Sequence, residues 1–366
     1  MAEICQSRTV TINQLHKSLM KCIAMKRPVM ITGSPGIGKS DLIEQISDSM
    51  GGILYDVRLS QCDPTDVRGI PFYNKESGKM EWADPVDLPD AAVCAKYPIS
   101  FLFLDEITSA PQTVAAASFQ LVLNRRVGTY FLPDNCVIIA AGNKESDRGV
   151  VYKMPTPLAN RFVHFELRVD FDSWNEWAIE KRIHSDVIGF LNFSQDSLDA
   201  FDPKSSEKAQ ATPRTWEFVS QLLDNDMEDS IMTDIIAGSV GEGMALKFQA
   251  QRKYFEHLPT PEEVLSGLVT TMQISEISAF YALATSLCYK LSDDWEKMKG
   301  KDENSWYMRA GNFLKFVMEN FTTELTVFSM RIAIKNYKLP FHPEKVTSFK
   351  EFRERFGKYL VMAAQV

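Results

Sequence analysis

The residues Gly33-Ser34-Pro35-Gly36-Ile37-Gly38-Lys39-Ser40 have the types and spacing that bind phosphate. They fit G-x-x-x-x-G-K-[ST] without a gap. The apolar run Val29-Met30-Ile31-Thr32 precedes them, and Asp41-Leu42-Ile43-Glu44-Gln45-Ile46, which reads as a helix start, follows. Strand, glycine loop and helix is the context in which this pattern becomes a phosphate-binding loop. Glycines let the backbone turn tightly and aim several N–H groups at one anion. The helix N-terminus adds partial positive charge there. Lys39 is then expected to reach the β- and γ-phosphates of ATP, and the Ser40 hydroxyl to ligate Mg²⁺. The expected nucleotide-binding set is Gly33, Ser34, Pro35, Gly36, Ile37, Gly38, Lys39, Ser40 and Asp41.

Five further residues, in four stretches, carry candidate chemistry. The run Phe103-Leu104-Asp105-Glu106 ends an apolar strand in two acids. At the tip of a central strand they would face the crevice beside the loop, Asp105 in the Mg²⁺ shell and Glu106 orienting an attacking water. The plainer reading is a pair capping the helix that follows. Ala140-Ala141-Gly142-Asn143 ends another strand, and an Asn there can hydrogen-bond both a γ-phosphate and a water; Gly-Asn alone is a turn signal. Arg161, in Pro157-Leu158-Ala159-Asn160-Arg161-Phe162, could reach the γ-phosphate of a neighbouring copy or form an ordinary surface ion pair. Arg214, in Ala211-Thr212-Pro213-Arg214-Thr215-Trp216, opens a helix, where the dipole disfavours a cation. A bound phosphate would offset that, and so would solvent.

These groups need a frame. Five strand candidates lie in the first half: Val29–Thr32, Ile53–Leu59, Ile99–Leu104, Val137–Ala141 and Val163–Leu167. The first, third and fourth are almost continuously apolar, as strands buried on both faces of a parallel sheet are. The second and fifth alternate, which places them at the edges. Helical stretches such as Asn13–Met25 and Ser40–Met50 separate the strands, so the expectation is a five-stranded parallel α/β core. Beyond residue 170 only helical spacing remains, over Trp174–Phe190, Thr215–Leu223, Met227–Phe255, Ser275–Leu291, Ser305–Phe321, Leu325–Lys338 and Ser348–Ala364. Thr260 before Pro261-Glu262-Glu263 reads as an N-cap. Trp174, Trp177 and Trp216, and the Met308, Phe313, Phe316 and Met318 stripe, read as helical core.

The chain has 366 residues, 45% hydrophobic and 24% charged, with a net charge of −8. That composition is globular, with room for two or three domains, and it argues against a broad nucleic-acid footprint without excluding a local basic channel. Six cysteines without a C-x-x-C, and five histidines without ligand spacing, favour free thiols over a disulfide or a structural metal. No apolar run is long enough to span a membrane, and MAEICQSR lacks an apolar leader core, so a soluble cytoplasmic protein is expected.

Taken together, these residues resemble an AAA+ ATPase. Gly33–Ser40 resembles Walker A, Asp105-Glu106 Walker B, Asn143 sensor 1, Arg161 the arginine finger and Arg214 sensor 2. Asp63-Pro64-Thr65-Asp66-Val67-Arg68-Gly69-Ile70-Pro71, the hairpin pattern Ile70–Tyr73 and Lys79–Trp82 about Asn74–Gly78, the Pro157–Phe162 run and the Thr-Pro-Arg placement of Arg214 make it similar to the MoxR branch, close to the dynein-related group.

The resemblance covers roughly residues 9 to 225. It implies a P-loop NTPase core over 1–170 with an insert hairpin over about 63–85 and an all-helical lid over 171–257; the helical spacing beyond makes 258–366 a helical C-terminal region whose role is open. It implies Mg²⁺-dependent hydrolysis of ATP by a ring of six copies, with Thr9–Ile12 near the adenine. A protein client would be remodelled, and proteins with a von Willebrand factor A domain are frequent partners in the family. Phe72, Tyr73 and Trp82 would either grip that client or pack the hairpin onto its own domain. Asn143 is followed by Lys144-Glu145 where the family often has Pro. Arg125 and Arg126 would be a second trans-acting pair or a basic hairpin turn. The rival functions are a nucleotide-switched scaffold with little turnover and a nucleic-acid-stimulated motor.

Overall fold

A computed structural model describes residues 8–147, 154–223, 227–255, 257–272 and 276–363. The chain divides into two compact units. One takes the described residues up to Asp170 with Phe201–Ser206; the other takes Phe171–Ala200 and the residues from Glu207 onward.

Among the described residues, the first unit has ten strands: β1 (Thr9–Val10), β2 (Val29–Thr32), β3 (Ile53–Arg58), β4 (Ile70–Asn74), β5 (Lys79–Ala83), β6 (Ser100–Asp105), β7 (Arg126–Val127), β8 (Tyr130–Phe131), β9 (Cys136–Gly142) and β10 (Val163–Leu167). Six of them form one sheet in the order β1-β10-β2-β9-β6-β3, every pair parallel. The sheet is therefore six-stranded rather than five-stranded. The apolar runs of β2, β9 and β6 are central, as full burial on both faces demands. β3 is an edge, as expected. The fifth predicted strand, β10, is not an edge, because Thr9–Val10 pairs along it. Two residues are too short to leave a periodic signal.

Alternate residues of the central strands feed two cores. Val29, Ile31, Phe101, Phe103, Val137 and Ile139 pack with Leu15, Leu19 and Ile23 of the helix Ile12–Ala24 and with Leu42, Ile43 and Ile46 of the helix Lys39–Ser49. Met30, Leu102, Leu104, Ile138 and Ala140 pack with Val114, Leu121 and Val122 of the helix Gln112–Asn124 on the other face. The sheet is thus held between helices and its strand tips are fixed from both sides.

Two small antiparallel hairpins attach to this core, β4–β5 and β7–β8. At the foot of the first, Gly69 has φ +86°, and a Cβ there would lie 2.0 Å from the Ala83 carbonyl oxygen. Only glycine fits. Trp82 is half-buried beneath the Arg68 guanidinium, 4.6 Å from its ring centre, while Ile70, Phe72, Tyr73 and Met80 are exposed. In the second, Arg125 takes a left-handed conformation and donates through Nη2 to the carbonyls of Pro133 and Cys136, both at 2.8 Å. Its guanidinium is thereby committed to the hairpin, whereas Arg126 is exposed.

The second unit is helical. The predicted helix Trp174–Phe190 is two, Phe171–Glu180 and Ser185–Phe193. The break falls at Arg182, whose left-handed backbone is held by a salt bridge to Asp293 and by the rings of Tyr289 and Tyr337. Met227–Phe255 likewise divides into Asp229–Val240 and Glu242–Phe255 at Gly241, φ +91°. Leu325–Lys338 is a helix only to Arg331, with a wider π turn over Ile332–Asn336. Thr260 does cap the helix Pro261–Leu265, reciprocally with Glu263. The long helix Ile277–Met298 lies close against Ser185–Phe193, since a Cβ on Gly189 would come within 2.7 Å of the Ala282 Cβ. Trp216 is wholly buried against Phe190 and Phe248, and its Nε1 donates to the Ser197 carbonyl.

Three helices of this unit are joined by charge. Arg309 grips both oxygens of Glu262 at 2.7 Å and also reaches Asp294, while Lys290 bridges the same two acids. Asp294 is 3% exposed. Removing the guanidinium would leave a buried carboxylate with Lys290 alone. Arg309→Met should therefore lower the unfolding free energy by about 3 kcal/mol. Urea denaturation followed by circular dichroism measures this; a loss below about 1 kcal/mol, the value of an exposed pair, would contradict it.

Candidate functional site

The carboxyl ends of β2, β9 and β6 lie side by side. Thr32 registers with Gly142, and Leu104 with Ala140. The residues that leave these tips, Gly33, Asn143 and Glu106, therefore start from one line. This is the crevice where ligands bind in an open α/β sheet.

The loop from β2 has the backbone its glycines were expected to permit. Gly36 has φ +75° and Gly38 φ +83°. Gly33 is needed for a different reason: a Cβ there would meet Ile37 Cδ1 at 2.5 Å and the Leu167 carbonyl oxygen at 3.0 Å. Lys39 opens the helix Lys39–Ser49 and is 8% exposed. Its Nζ donates to the carbonyls of Gly33 at 2.8 Å and Ser34 at 2.9 Å, and approaches Asn143 Oδ1 at 3.4 Å. The cation is thus turned inward over the loop. Ser34, Pro35 and Gly36 are partly exposed, and Asp41 is exposed one residue past Ser40.

On the acidic side, Ser40 Oγ donates to Asp105 Oδ2 at 3.0 Å. Asp105 ends β6, and its other oxygen accepts the Glu106 N–H at 2.8 Å. Glu106 sits in the left-handed region, φ +54°, which turns its side chain off the strand line. Its Oε2 accepts a hydrogen bond from Ser60 Oγ. Burial, then the carboxylate of Asp105, hold the Asp56 carboxyl above the usual range, with Glu44 and Glu106 acting in the same direction and Arg58 against it. The negative charge gathered here, with a hydroxyl and a carboxylate already in contact, fits a hard divalent cation such as Mg²⁺.

Asn143 is held from below. Its N–H donates to Thr108 Oγ1 at 3.2 Å, and the adjacent Gly142 leaves room for that threonine, since a Cβ would stand 2.5 Å from the same oxygen. Lys39, Ser40, Asp105, Glu106 and Asn143 are therefore brought together. Arg161 is not among them. It is exposed, two residues before β10, and Val163 registers with Val29 at the opposite end of β2. Arg214 belongs to the helical unit, exposed at the second position of Pro213–Leu222, a helix capped by Thr212 and Thr215.

Sequence reasoning missed Ser60 and Thr108. Both are ordinary hydroxyl residues without a motif, and only the strand register brings them to the acid and the amide.

The loop, the flanking parallel strands and the helix that follows define the fold class of the P-loop NTPases, here with a helical region after the sheet. The chain is similar to parts of midasin. Midasin of Giardia intestinalis is 29% identical over 171 residues, which is 44% of this chain and 3% of that protein. Midasin of Dictyostelium discoideum is 32% identical over 107 residues, 28% of this chain and 2% of the relative. The chain thus spans only a few hundredths of the length of these relatives. No family model matches it. Among solved structures, a Cytophaga hutchinsonii protein assigned as an ATPase is 13% identical with a TM-score of 0.34, over 88% of this chain and 79% of the other. A proline-to-glycine variant of Thermotoga maritima RuvB is 15% identical with a TM-score of 0.36, over 82% and 91%. Such scores are too low to bear on function.

The Thr108 contact gives a direct check on how Asn143 is held. Thr108→Val keeps the shape and leaves the partly buried Asn143 N–H without its acceptor, so it should cost about 1–2 kcal/mol of stability. Chemical denaturation of the two proteins compares them; equal midpoints would mean that the hydrogen bond contributes nothing.

Proposed function

We propose that this chain binds ATP with Mg²⁺ and hydrolyses it, and that a ring of copies uses the hydrolysis to remodel or assemble a partner protein, in the manner of the MoxR-like, dynein-related AAA+ proteins. The observation that carries the reading is the convergence of Lys39, the Ser40–Asp105 pair, Glu106 and Asn143 at the tips of three adjoining buried strands. The similarity to midasin over 44% of the chain supports it.

In this reading the loop N–H groups and Lys39 hold the phosphates. Lys39 exchanges its two carbonyl partners for phosphate oxygens. Ser40 and Asp105 are the residues that hold Mg²⁺, which when bound neutralises phosphate charge and so lowers the barrier to transfer. Glu106 orients a water for attack, and Asn143 fixes that water against the terminal phosphate. Arg161 serves the site of an adjoining copy, and Arg214 acts from a helical lid over 171–257, with 258–366 a further helical region. The exposed Ile70, Phe72, Tyr73 and Met80 of the insert hairpin are the surface offered to a protein client, for which a von Willebrand factor A domain is the type the resemblance suggests.

One observation favours the scaffold alternative. Ser60 already occupies one oxygen of Glu106, which competes with its use on water. A chain that kept this contact with ATP bound would switch its assembly on nucleotide and turn over little.

Three variants separate these outcomes. Lys39→Ala should lose nucleotide binding in calorimetry with ATP and magnesium. Glu106→Gln should still bind but release phosphate at least about a hundredfold more slowly than the parent chain. Arg161→Ala should bind normally and lose about a thousandfold in turnover. Equal, negligible phosphate release by parent and Glu106→Gln would give the chain to the scaffold reading. Full turnover of a strictly monomeric Arg161→Ala protein would remove that residue's assigned role.

A further inference from the structure

Lys144 and Glu166 form an ion pair that the roles above do not use. Lys144 Nζ lies 2.8 Å from Glu166 Oε1, with side-chain exposures of 28% and 23%. Their places in the sheet are unusual for such a pair. Lys144 follows Asn143 past the end of β9, and Glu166 lies on β10. Between these two strands runs β2. Glu166 registers with Thr32 on one side of it, and Gly142 registers with Thr32 on the other. The two backbones are therefore two strand spacings apart, roughly 10 Å. The four-carbon stem of lysine and the carboxylate of glutamate together span that gap. Their contact passes over the point where the chain leaves Thr32 for Gly33 and the phosphate loop begins.

The segment carrying Asn143 is tied down in other directions as well. Its own N–H donates to Thr108 Oγ1 beneath it, and the Lys144 N–H donates to Asp147 Oδ2 at 3.3 Å. The Gly33 N–H donates to the Gly142 carbonyl at 3.3 Å, so loop and strand tip already share a backbone contact. The ion pair is the one of these ties that reaches β10. It is also partly shielded from water, so salt screens it less than an exposed pair.

We propose that the Lys144–Glu166 pair is a positioning device for the phosphate site: it fixes Asn143 against the strand that delivers the phosphate loop, and so sets how strongly the chain prefers a nucleoside triphosphate to a diphosphate. The proposal rests on the reading that the phosphates are held at Gly33–Ser40. A diphosphate ends short of Asn143 and is held by the loop itself. A terminal phosphate meets the Asn143 amide, whose placement the pair controls.

The test uses the full chain carrying Glu106→Gln, so that bound ATP persists, with Lys144→Met, Glu166→Gln, and the exchanged pair Lys144→Glu with Glu166→Lys. Calorimetric affinities for ATP and ADP in magnesium give the preference for each protein. Each single change should lower the ATP-to-ADP affinity ratio about tenfold and leave ADP affinity within about twofold. The exchanged pair should restore most of the ratio, which a merely damaged fold would not do. The proposal is overturned if the parent ratio is one, if single changes leave the ratio as it was, if ADP affinity falls as far as ATP affinity, or if the exchanged pair is as poor as the single changes. Phosphate release by the chain with Glu106 intact is measured alongside. A chain that prefers ATP but does not hydrolyse it would end the ATPase reading and leave the positioning role standing.

Discussion

A buried ammonium has to find oxygen, and the first unit is arranged around that requirement. Lys39 is 8% exposed, and its charge is met by two carbonyl oxygens of its own loop. An unpaired cation in such a place would be costly, or would lose its proton. The carbonyls can turn toward Lys39 only because Gly36 and Gly38 take backbone angles that side chains resist. The loop can lie close to β10 only because Gly33 has no Cβ to strike Leu167. The same geometry leaves the loop N–H groups on a partly exposed stretch. The lysine and the partial positive charge of the helix N-terminus are a better match for a polyanion than for two neutral carbonyls.

The loop needs a rigid floor, and the three central strands supply it. Their side chains alternate into two cores, so no strand tip can shift without disturbing packing on both faces of the sheet. Opposite charges are separated across the tips. Lys39 is held on the loop that leaves β2, while Asp105 and Glu106 stand at the end of β6, with Asn143 just past the end of β9, the strand between them. Burial first, and then the carboxylates gathered on the β6–β3 side, raise the proton affinity of Asp56. Arg58, which stands 3.9 Å from Asp56 and is largely exposed, offsets that charge only in part.

Much of this was legible in the sequence, and the reasons differ by element. The central strands announced themselves because burial on both faces demands unbroken apolar runs. The loop did so because its glycines answer to backbone angles. Local chemistry also gave the Thr260 cap and the β4–β5 turn. What stayed hidden depends on partners far along the chain. Arg182 breaks a helix whose periodicity runs straight through it, because Asp293, Tyr289 and Tyr337 favour the left-handed turn. Thr9–Val10 becomes a strand because an edge of β10 was open to it. Ser60, Thr108 and the Lys144–Glu166 pair reach the site through strand register, and no spacing along the chain could have selected them.

The position of Arg161 bears on whether one copy suffices. Its strand runs parallel to β2, with Val163 level with Val29. The phosphate loop starts at Gly33, four residues further along, on the order of 13 Å toward the opposite end of the sheet. Arg161 precedes Val163 by two residues, in the turn that leads into the strand, and is exposed. An extended arginine side chain covers about half that distance at most. A guanidinium that enters beside Val163, at the amino end of β10, is therefore badly placed for the phosphates of its own chain. If Arg161 contributes to phosphate chemistry, it does so across a boundary between copies. In that case the catalytic unit is the interface between two chains.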